Sequence, residues 1–417
     1  MSERRVVITG IGVVSAAGLG LEVFRSALLG ETACPDRAEV LQGTGFDGQP
    51  ARGVPAFDAK ALLGVKGLRH LNRATLLACG AARLALDDAE IVLDAQAGAE
   101  MGVVLGTAFA NFGAECAFDA IEAAQGYRFL DPLAFPNTVV STPAGHVALM
   151  FGVRRFNGTV SSGEAAGLDA IILAARHLRR ERAVMALAGG VEDLSRESYA
   201  RLRALGRVAQ PSADAGRAAP FDRKRTGSIP SEGGAFVLLE DLEHARARRA
   251  RIYAEVTGAA SGFDAARYAR YRAGDDPFAA GGATSVRVLS AALEDAAVPP
   301  AEVDCISAGA SGSPSGDRME AQAIDALFGA AAPPISAAKG ALGETLGAAG
   351  AFQVAASALS CHEGWIPPTA GYGEADPECG LPSVVARAPV YRHVGTALVH
   401  SYDPGGIDSA LVVAGPV

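Results

Sequence analysis

Two glutamates and one lysine are the residues most suited to chemistry. Lys339 is one of only four lysines among 37 basic residues, and it lies inside a glycine- and alanine-rich segment. Glu344 follows it closely, and Glu164 lies in a second run of small residues. A cation beside two carboxylates keeps both ionised, whereas without it one of them would be pushed to protonate. Paired carboxylates could also act as general acid and base, as in a decarboxylase or hydrolase.

The other reactive side chains form no recognisable site. The six cysteines include no CxxC pair, and the seven histidines are scattered. We therefore expect no disulfide framework, no metal site and no cofactor, and a reduced, cytoplasmic protein. Gly10-Ile11-Gly12 follows an apolar run, but Ser15 stands where a dinucleotide fingerprint has its third glycine. A lone GxG is weak evidence for nucleotide binding.

Composition excludes several classes of partner. The formal net charge is −9, which argues against nucleic acid because phosphate binding needs a basic surface. No apolar run is long enough to span a membrane, and the first residues lack the pattern of a signal peptide. Arginine clusters at 176–182 and 246–251 are read either as solvated helix faces or as docking sites for an acidic carrier protein.

Apolar, β-branched runs alternate with Ala/Leu-rich stretches, a pattern typical of an α/β protein with buried sheets. A weak repeat relates residues 5–12 to residues 251–258, since both begin after a basic residue and contain Thr-Gly. It predicts two related halves, residues 1–245 and 250–417.

Four segments, in order, resemble the β-ketoacyl-acyl-carrier-protein synthases. They are residues 4–15, 220–240, 316–323 and 339–350. The resemblance implies the thiolase fold, a five-layered αβαβα architecture built from two pseudo-repeated halves. It also implies an obligate dimer. Enzymes of this family condense acyl chains with one cysteine and two histidines.

The resemblance places other residues at those three positions. The cysteine falls on Glu164, the first histidine on Gly309 and the second on Glu344, while the family's lysine is matched by Lys339. Pro404 stands where the family commonly has a phenylalanine gate. A glutamate is a poor acyl acceptor, glycine supplies no donor to an enolate, and a second glutamate would repel it. We therefore expect no catalytic residue in this chain, although its status as an enzyme stays open.

The run from Glu164 to Ala170 resembles that of the chain-length factors, the β subunits of type II polyketide ketosynthases, which usually have glutamine at the first position. That resemblance implies a heterodimer with an active ketosynthase, an acyl carrier protein as second partner, and control of polyketide length. Three alternatives stay open: Glu164 as a polar plug accepting backbone N–H groups at a helix N-terminus, a rebuilt Glu164/Glu344 enzyme site, and a homodimeric acyl-binding protein.

In the resembling factors, one helix near the dimer interface lines the tunnel for the growing chain. Here it is expected to run from Phe109 to Ala124. Apolar residues recur along it at helical spacing, beside an acidic stripe. One interpretation is core on one side and water on the other. The second is a tunnel lining made by Phe109, Phe112, Glu115, Cys116 and Asp119.

Overall fold

Strands and helices alternate along the chain, as the sequence predicts. The computed structural model describes residues 4–36, 38–64, 67–210 and 218–416. Within these residues the strands are β1 (Val6–Ser15), β2 (Gly18–Leu19), β3 (Met101–Gly106), β4 (Asn157–Val160), β5 (Met185–Glu192), β6 (Gly233–Asp241), β7 (Ala254–Phe263), β8 (Cys305–Ser307), β9 (Ile335–Ser336), β10 (Trp365–Ile366), β11 (Val390–Tyr391), β12 (Thr396–Tyr402) and β13 (Ile407–Ala414).

The α-helices of the described residues vary from one turn to four. They are α1 (Leu21–Leu28), α2 (Ala59–Leu63), α3 (Arg73–Asp88), α4 (Ala95–Glu100), α5 (Phe112–Gln125), α6 (Thr142–Phe151), α7 (Ala166–Arg179), α8 (Arg196–Ala204), α9 (Leu242–Ala247), α10 (Ala265–Ala273), α11 (Ala283–Asp295), α12 (Pro314–Phe328), α13 (Lys339–Leu342) and α14 (Ala349–Glu363). None of them is long and apolar enough to cross a bilayer.

The sheet contains the same strand arrangement twice. The first half runs in the order β4-β3-β5-β6-β1, and the second continues as β7-β13-β12-β8-β9. Equivalent neighbours pair with the same polarity in both halves, parallel toward the outer strands and antiparallel toward the centre. The first strand of each half, β1 and β7, pair with each other antiparallel through Val6 and Val256. The repeat seen at residues 5–12 and 251–258 therefore marks the two strands that join the halves.

Helices fill three layers around the two halves of the sheet. Between them, α7 and α14 share one core with both halves, including Leu168, Ile171 and Leu359. A second core lies under α3 and α6, and a third under α11 and α12. The order helix, sheet, helix, sheet, helix is the five-layered αβαβα architecture of the thiolase fold, which the sequence predicts.

Helix α14 is buried on every side over residues 349–361, as expected for a helix enclosed between layers. Its small residues allow close packing. A Cβ atom added to Gly350 would stand 2.6 Å from the backbone nitrogen of Leu168 in α7, so α14 and α7 meet through their backbones. The first turns of both helices are thereby held side by side at the candidate site.

One face of the molecule has little cover within the chain. Helix α5 contains no fully buried residue, although Phe112, Cys116 and Phe118 are partly buried. Around it and α6 lies a group of exposed large apolar residues, of which Leu133 and Leu149 are 72% and 78% exposed. We call this group the apolar face; its members are Ile121, Tyr127, Phe129, Leu133, Phe135, Val139, Val140 and Leu149.

Candidate functional site

Glu164 lies at the junction of the two halves. It follows β4, in the short 3-10 turn Gly163–Ala165 that leads into α7, and only 4% of it is exposed. Its carboxylate forms an ion pair with Arg207, and its Oε2 atom lies 4.0 Å from the Nζ atom of Lys339. The expectation that this carboxylate caps a helix N-terminus is wrong, because two cations from other elements bind it instead.

Lys339 connects the two glutamates that the sequence analysis singled out. Its ammonium group lies 2.8 Å from the Oε2 atom of Glu344, whose other carboxylate oxygen accepts the N–H of Leu346 at 2.8 Å. Burial alone would lower the pKa of Lys339, but the charges of Glu344 and Glu164 outweigh it and raise that pKa. Lys339 therefore stays protonated. Burial raises the pKa of Glu344, and Lys339 opposes that shift.

A third carboxylate completes the group. Asp403, in the turn between β12 and β13, accepts the backbone N–H of Glu164 at 3.1 Å. Burial, and then the charge of Glu164, raise the pKa of Asp403 to about 6. Three carboxylates thus face the two cations Lys339 and Arg207.

Gly309 leaves the third altered position without a side chain. Its N–H donates to the Oε1 atom of Glu320 at 2.8 Å. A Cβ atom added there would lie 3.1 Å from the Tyr402 ring and equally close to the carbonyl oxygen of His400. The Tyr402 ring and the His400 carbonyl of β12 therefore occupy the space that a side chain at position 309 would need. A larger residue at 309 requires Tyr402 to move.

His400 is a nearby histidine whose two ring nitrogens are both engaged in the core. Its Nδ1 atom lies 2.7 Å from Glu320, and its Nε2 atom lies 2.7 Å from Asp408. Burial would lower the pKa of His400, but these two carboxylates outweigh it and raise the pKa to about 9. With both ring nitrogens engaged in the core, the imidazolium has no free donor for a substrate.

A buried glutamate links the site to the expected tunnel helix. Glu192, at the end of β5, accepts the N–H groups of Ala108 and Phe109 at 2.8 Å and that of Gly347 at 3.1 Å. Burial raises the pKa of Glu192 to about 8. Residue 347 lies in the loop after Glu344, so one carboxylate fixes both the loop of the altered site and the approach to α5.

The tunnel helix begins later than expected. Phe109 lies outside it, because Asn111 adopts a left-handed conformation with φ 77° and an α-helix cannot pass through that residue. Phe109 and Phe112 nonetheless touch, with ring centroids 5.9 Å apart. Cys116 is partly buried, whereas Glu115 and Asp119 are exposed in the single chain.

A pocket of about 370 Å³ opens next to the altered site. Arg207 and Pro404 are part of its wall, together with Phe278 and Ser311. Because Arg207 also binds Glu164, the pocket leads from the surface to the group of ion pairs. Pro404, the residue at the predicted gate position, lies at this opening.

Comparison with known proteins assigns the family. The model of the β-ketoacyl synthase N-terminal domain matches residues 3–245, and that of the C-terminal domain matches residues 253–373. The chain belongs to the β-ketoacyl synthase family.

Relatives in this family are of two kinds. The chain is 33% identical to the "Tetracenomycin polyketide synthase ketoacyl synthase beta subunit" of Streptomyces glaucescens, with 98% of each chain covered. It is 31% identical to "3-oxoacyl-[acyl-carrier-protein] synthase 2" of Coxiella burnetii, with 99% of each covered. Among solved structures it is similar to "The ishigamide ketosynthase/chain length factor", with a TM-score of 0.88, 29% identity and full coverage of both chains.

Sequence reasoning missed three residues of this ketosynthase-like site. Arg207 gave no signal, because nearly all basic residues of the chain are arginines. Asp403 lies in a turn between apolar strands, where aspartate is ordinary. Glu192 could have been found, since it is an acidic residue at the end of the apolar run that forms the buried strand β5.

The buried ion pairs lead to a first prediction. Replacing Lys339 with methionine leaves Glu344 and Glu164 without their shared cation, which should lower the free energy of unfolding by about 3–5 kcal/mol. Lys60, exposed on α2, supplies the matched control. Lys60→Met should change stability by less than about 0.5 kcal/mol. Urea unfolding of both variants makes the comparison, and equal stabilities would show that Lys339 does not hold the site together.

Proposed function

We propose that this chain is a non-catalytic ketosynthase-like subunit that pairs with an active ketosynthase and sets the length of the polyketide chain. The observation that carries the proposal is the group of ion pairs at the position of the nucleophile. Glu164 is buried and bound by Arg207 and Lys339, so it is held as a structural anion rather than poised as an acyl acceptor.

The two other altered positions support the same conclusion. A condensing site has to stabilise the enolate formed when malonyl thioester loses carbon dioxide, which requires hydrogen-bond donors. Gly309 has no side chain to supply one. Glu344 is an acceptor whose oxygens are already bound to Lys339 and to the N–H of Leu346. Neither position can do the work of a histidine.

The apolar face supports a partner subunit. Groups of large exposed apolar residues mark interaction sites on proteins, and α5 has no fully buried residue in the single chain. Relatives are named as a β subunit and as a ketosynthase/chain length factor. We propose that an active ketosynthase with intact cysteine and histidines covers this face, with more than about 2,000 Å² buried in total. The stretch from Pro132 to Met150 supplies many of the contacts.

A carrier protein is the second proposed partner. The name of the Coxiella relative contains an acyl carrier protein that holds a 3-oxoacyl group, and a growing polyketide has to reach the condensing site on such a carrier. The proposed route to length control is α5. In the assembled pair, Phe109, Phe112, Glu115, Cys116 and Asp119 would meet the tunnel of the active subunit and bound its far end.

A rebuilt enzyme site is the rival function. The two carboxylates Glu164 and Glu344 lie on either side of Lys339, an arrangement that acid–base chemistry could use. Lys339 and Arg207 already occupy these carboxylates as ion-pair partners, however, which counts against either glutamate acting as a free acid or base. A homodimeric acyl-binding protein is the other alternative, and the apolar face would then be covered by a second copy of the chain.

A second prediction separates these readings through Glu164. In the complex with an active ketosynthase, Glu164→Gln should leave turnover within about threefold of that of the unaltered complex. A group without a chemical role contributes little to the activation free energy of condensation. Product formation at saturating malonyl and acyl carrier protein is the measurement. The unaltered chain should also show no acyl adduct by intact mass. A thousandfold loss of turnover with the dimer intact would favour the rebuilt enzyme site.

The third prediction concerns the apolar face. The double substitution Leu133→Asp and Leu149→Asp places two charges in the proposed interface and should weaken association by at least about 2 kcal/mol, or about thirtyfold in Kd. Val92, 81% exposed and outside this face, supplies the control Val92→Asp. Sedimentation of each variant with the active ketosynthase is the readout. Unchanged association of the double variant would place the interface elsewhere.

The fourth prediction concerns length. Phe112→Ala should open space and lengthen the product, and Cys116→Trp should shorten it, since overpacking a closed tunnel costs roughly 1–3 kcal/mol. That penalty changes the partition between extension and release by about one to two orders of magnitude. Asp119→Leu should alter tolerance for polar intermediates instead. Product masses from the reconstituted synthase test this, with Glu122→Gln as the control. Wild-type products from all three variants would show that α5 does not line the tunnel.

A further inference from the structure

The turn between β12 and β13 extends one side chain, Asp403, over the start of α7. Its Oδ2 atom accepts the backbone N–H of Glu164 at 3.1 Å. A Cβ atom added to Gly163 would stand 2.0 Å from that same oxygen. The contact is therefore possible only because residue 163 is glycine, which also adopts φ 63°. The carboxylate covers the backbone of residues 163 and 164 directly.

Asp403 is held in this position by its own turn. Its Oδ1 atom accepts the N–H of Gly405 at 2.5 Å, and its backbone N–H donates to the carbonyl of Ile407 at 2.9 Å. The N–H of Gly406 donates to the Asp403 carbonyl at 3.0 Å. Both carboxylate oxygens and both backbone groups are engaged. Moving the side chain away from Glu164 would break bonds on both sides.

The covered N–H is the group that acyl transfer at position 164 would need most. When a nucleophile attacks an acyl carbonyl, the carbonyl oxygen becomes an oxyanion, and the backbone N–H of the nucleophilic residue is a common donor to it. Here a carboxylate already accepts that hydrogen bond.

We propose that Asp403 is a separate block of the acyl site, which acts independently of the missing cysteine by occupying the oxyanion-binding N–H of residue 164. This proposal rests on the non-catalytic role proposed above and deepens it. A thiol restored at position 164 would meet Lys339 and Arg207, two cations that favour its thiolate. It would still accept acyl groups slowly as long as Asp403 covers the backbone N–H of residue 164.

The test introduces a thiol nucleophile at position 164, once with Asp403 in place and once with Asp403 replaced. Glu164→Cys, Glu164→Cys/Asp403→Ala and Glu164→Cys/Asp403→Asn are each co-expressed with the active ketosynthase and treated with butyryl-N-acetylcysteamine. The introduced thiolate attacks the carbonyl carbon, a new carbon–sulfur bond forms, and the bond to the donor sulfur breaks. N-acetylcysteamine leaves as a thiolate and is protonated by water. Intact mass resolves the two subunits, so acylation of this chain is followed separately.

We expect the Asp403→Ala combination to acylate about a hundredfold faster than Glu164→Cys alone, since one oxyanion donor is typically worth about 100- to 1,000-fold. The Asp403→Asn combination should stay within about threefold of Glu164→Cys, because a side chain of the same size still covers the N–H. Alkylation by iodoacetamide needs no oxyanion donor. Measured at a pH where the thiol is ionised in every variant, its rate should be similar in all three.

Three results would count against the proposal. Equal acylation of Glu164→Cys with and without Asp403→Ala, at equal alkylation rates, overturns it. Fast acylation of the Asp403→Asn combination also overturns it, because the charge would then matter rather than the occupied N–H. If the thiol variants are insoluble, Glu164→Ser with and without Asp403→Ala, treated with p-nitrophenyl butyrate, should show the same order, and equal rates there overturn the proposal. An adduct on the unaltered chain would instead overturn the proposed function.

Discussion

The pairing of the Lys339 ammonium group with the carboxylates of Glu344 and Glu164 is the interaction on which the rest of the site depends. Removing an ammonium group and two carboxylates from water is costly unless each charge has close partners. Lys339 meets Glu344 at 2.8 Å and Glu164 at 4.0 Å, and Arg207 binds Glu164 from the pocket side. These contacts draw β4, α7, α13 and the segment after α8 toward one point between the two sheets.

The duplicated sheet explains why that point can be assembled from both halves. Glu164 and Arg207 come from the first half, whereas Lys339, Glu344 and Asp403 come from the second. The pairing of β1 with β7 joins the halves at their first strands, and the close contact of α7 with α14 aligns the two helix starts. In this frame the buried acidic side chains Glu164 and Glu344 lie where Arg207 and Lys339 neutralise them.

The sequence predicted the architecture better than the contacts. The fold class and the repeat could be read from ordered motifs, because those motifs are local in sequence. The bond of Lys339 to both glutamates was anticipated because one lysine among small residues is conspicuous. Arg207 and Asp403 were missed, since their roles depend on where distant turns meet. The start of α5 was misplaced because the left-handed conformation of Asn111 is set by the Asn72 and Val139 contacts of its side chain, which no local pattern reveals.

Helix α5 has a consequence for the life of the protein in the cell. A helix with no fully buried residue, beside a large apolar face, would gain further packing from the partner proposed above. Binding that favours the folded state stabilises it in proportion to the logarithm of partner concentration. The melting temperature measured for the subunit would then depend on how much partner is present, and not on the chain alone. Copies made in excess of the proposed ketosynthase partner would then be the first to aggregate or be degraded, so balanced synthesis of the two subunits would become a requirement set by this one uncovered surface.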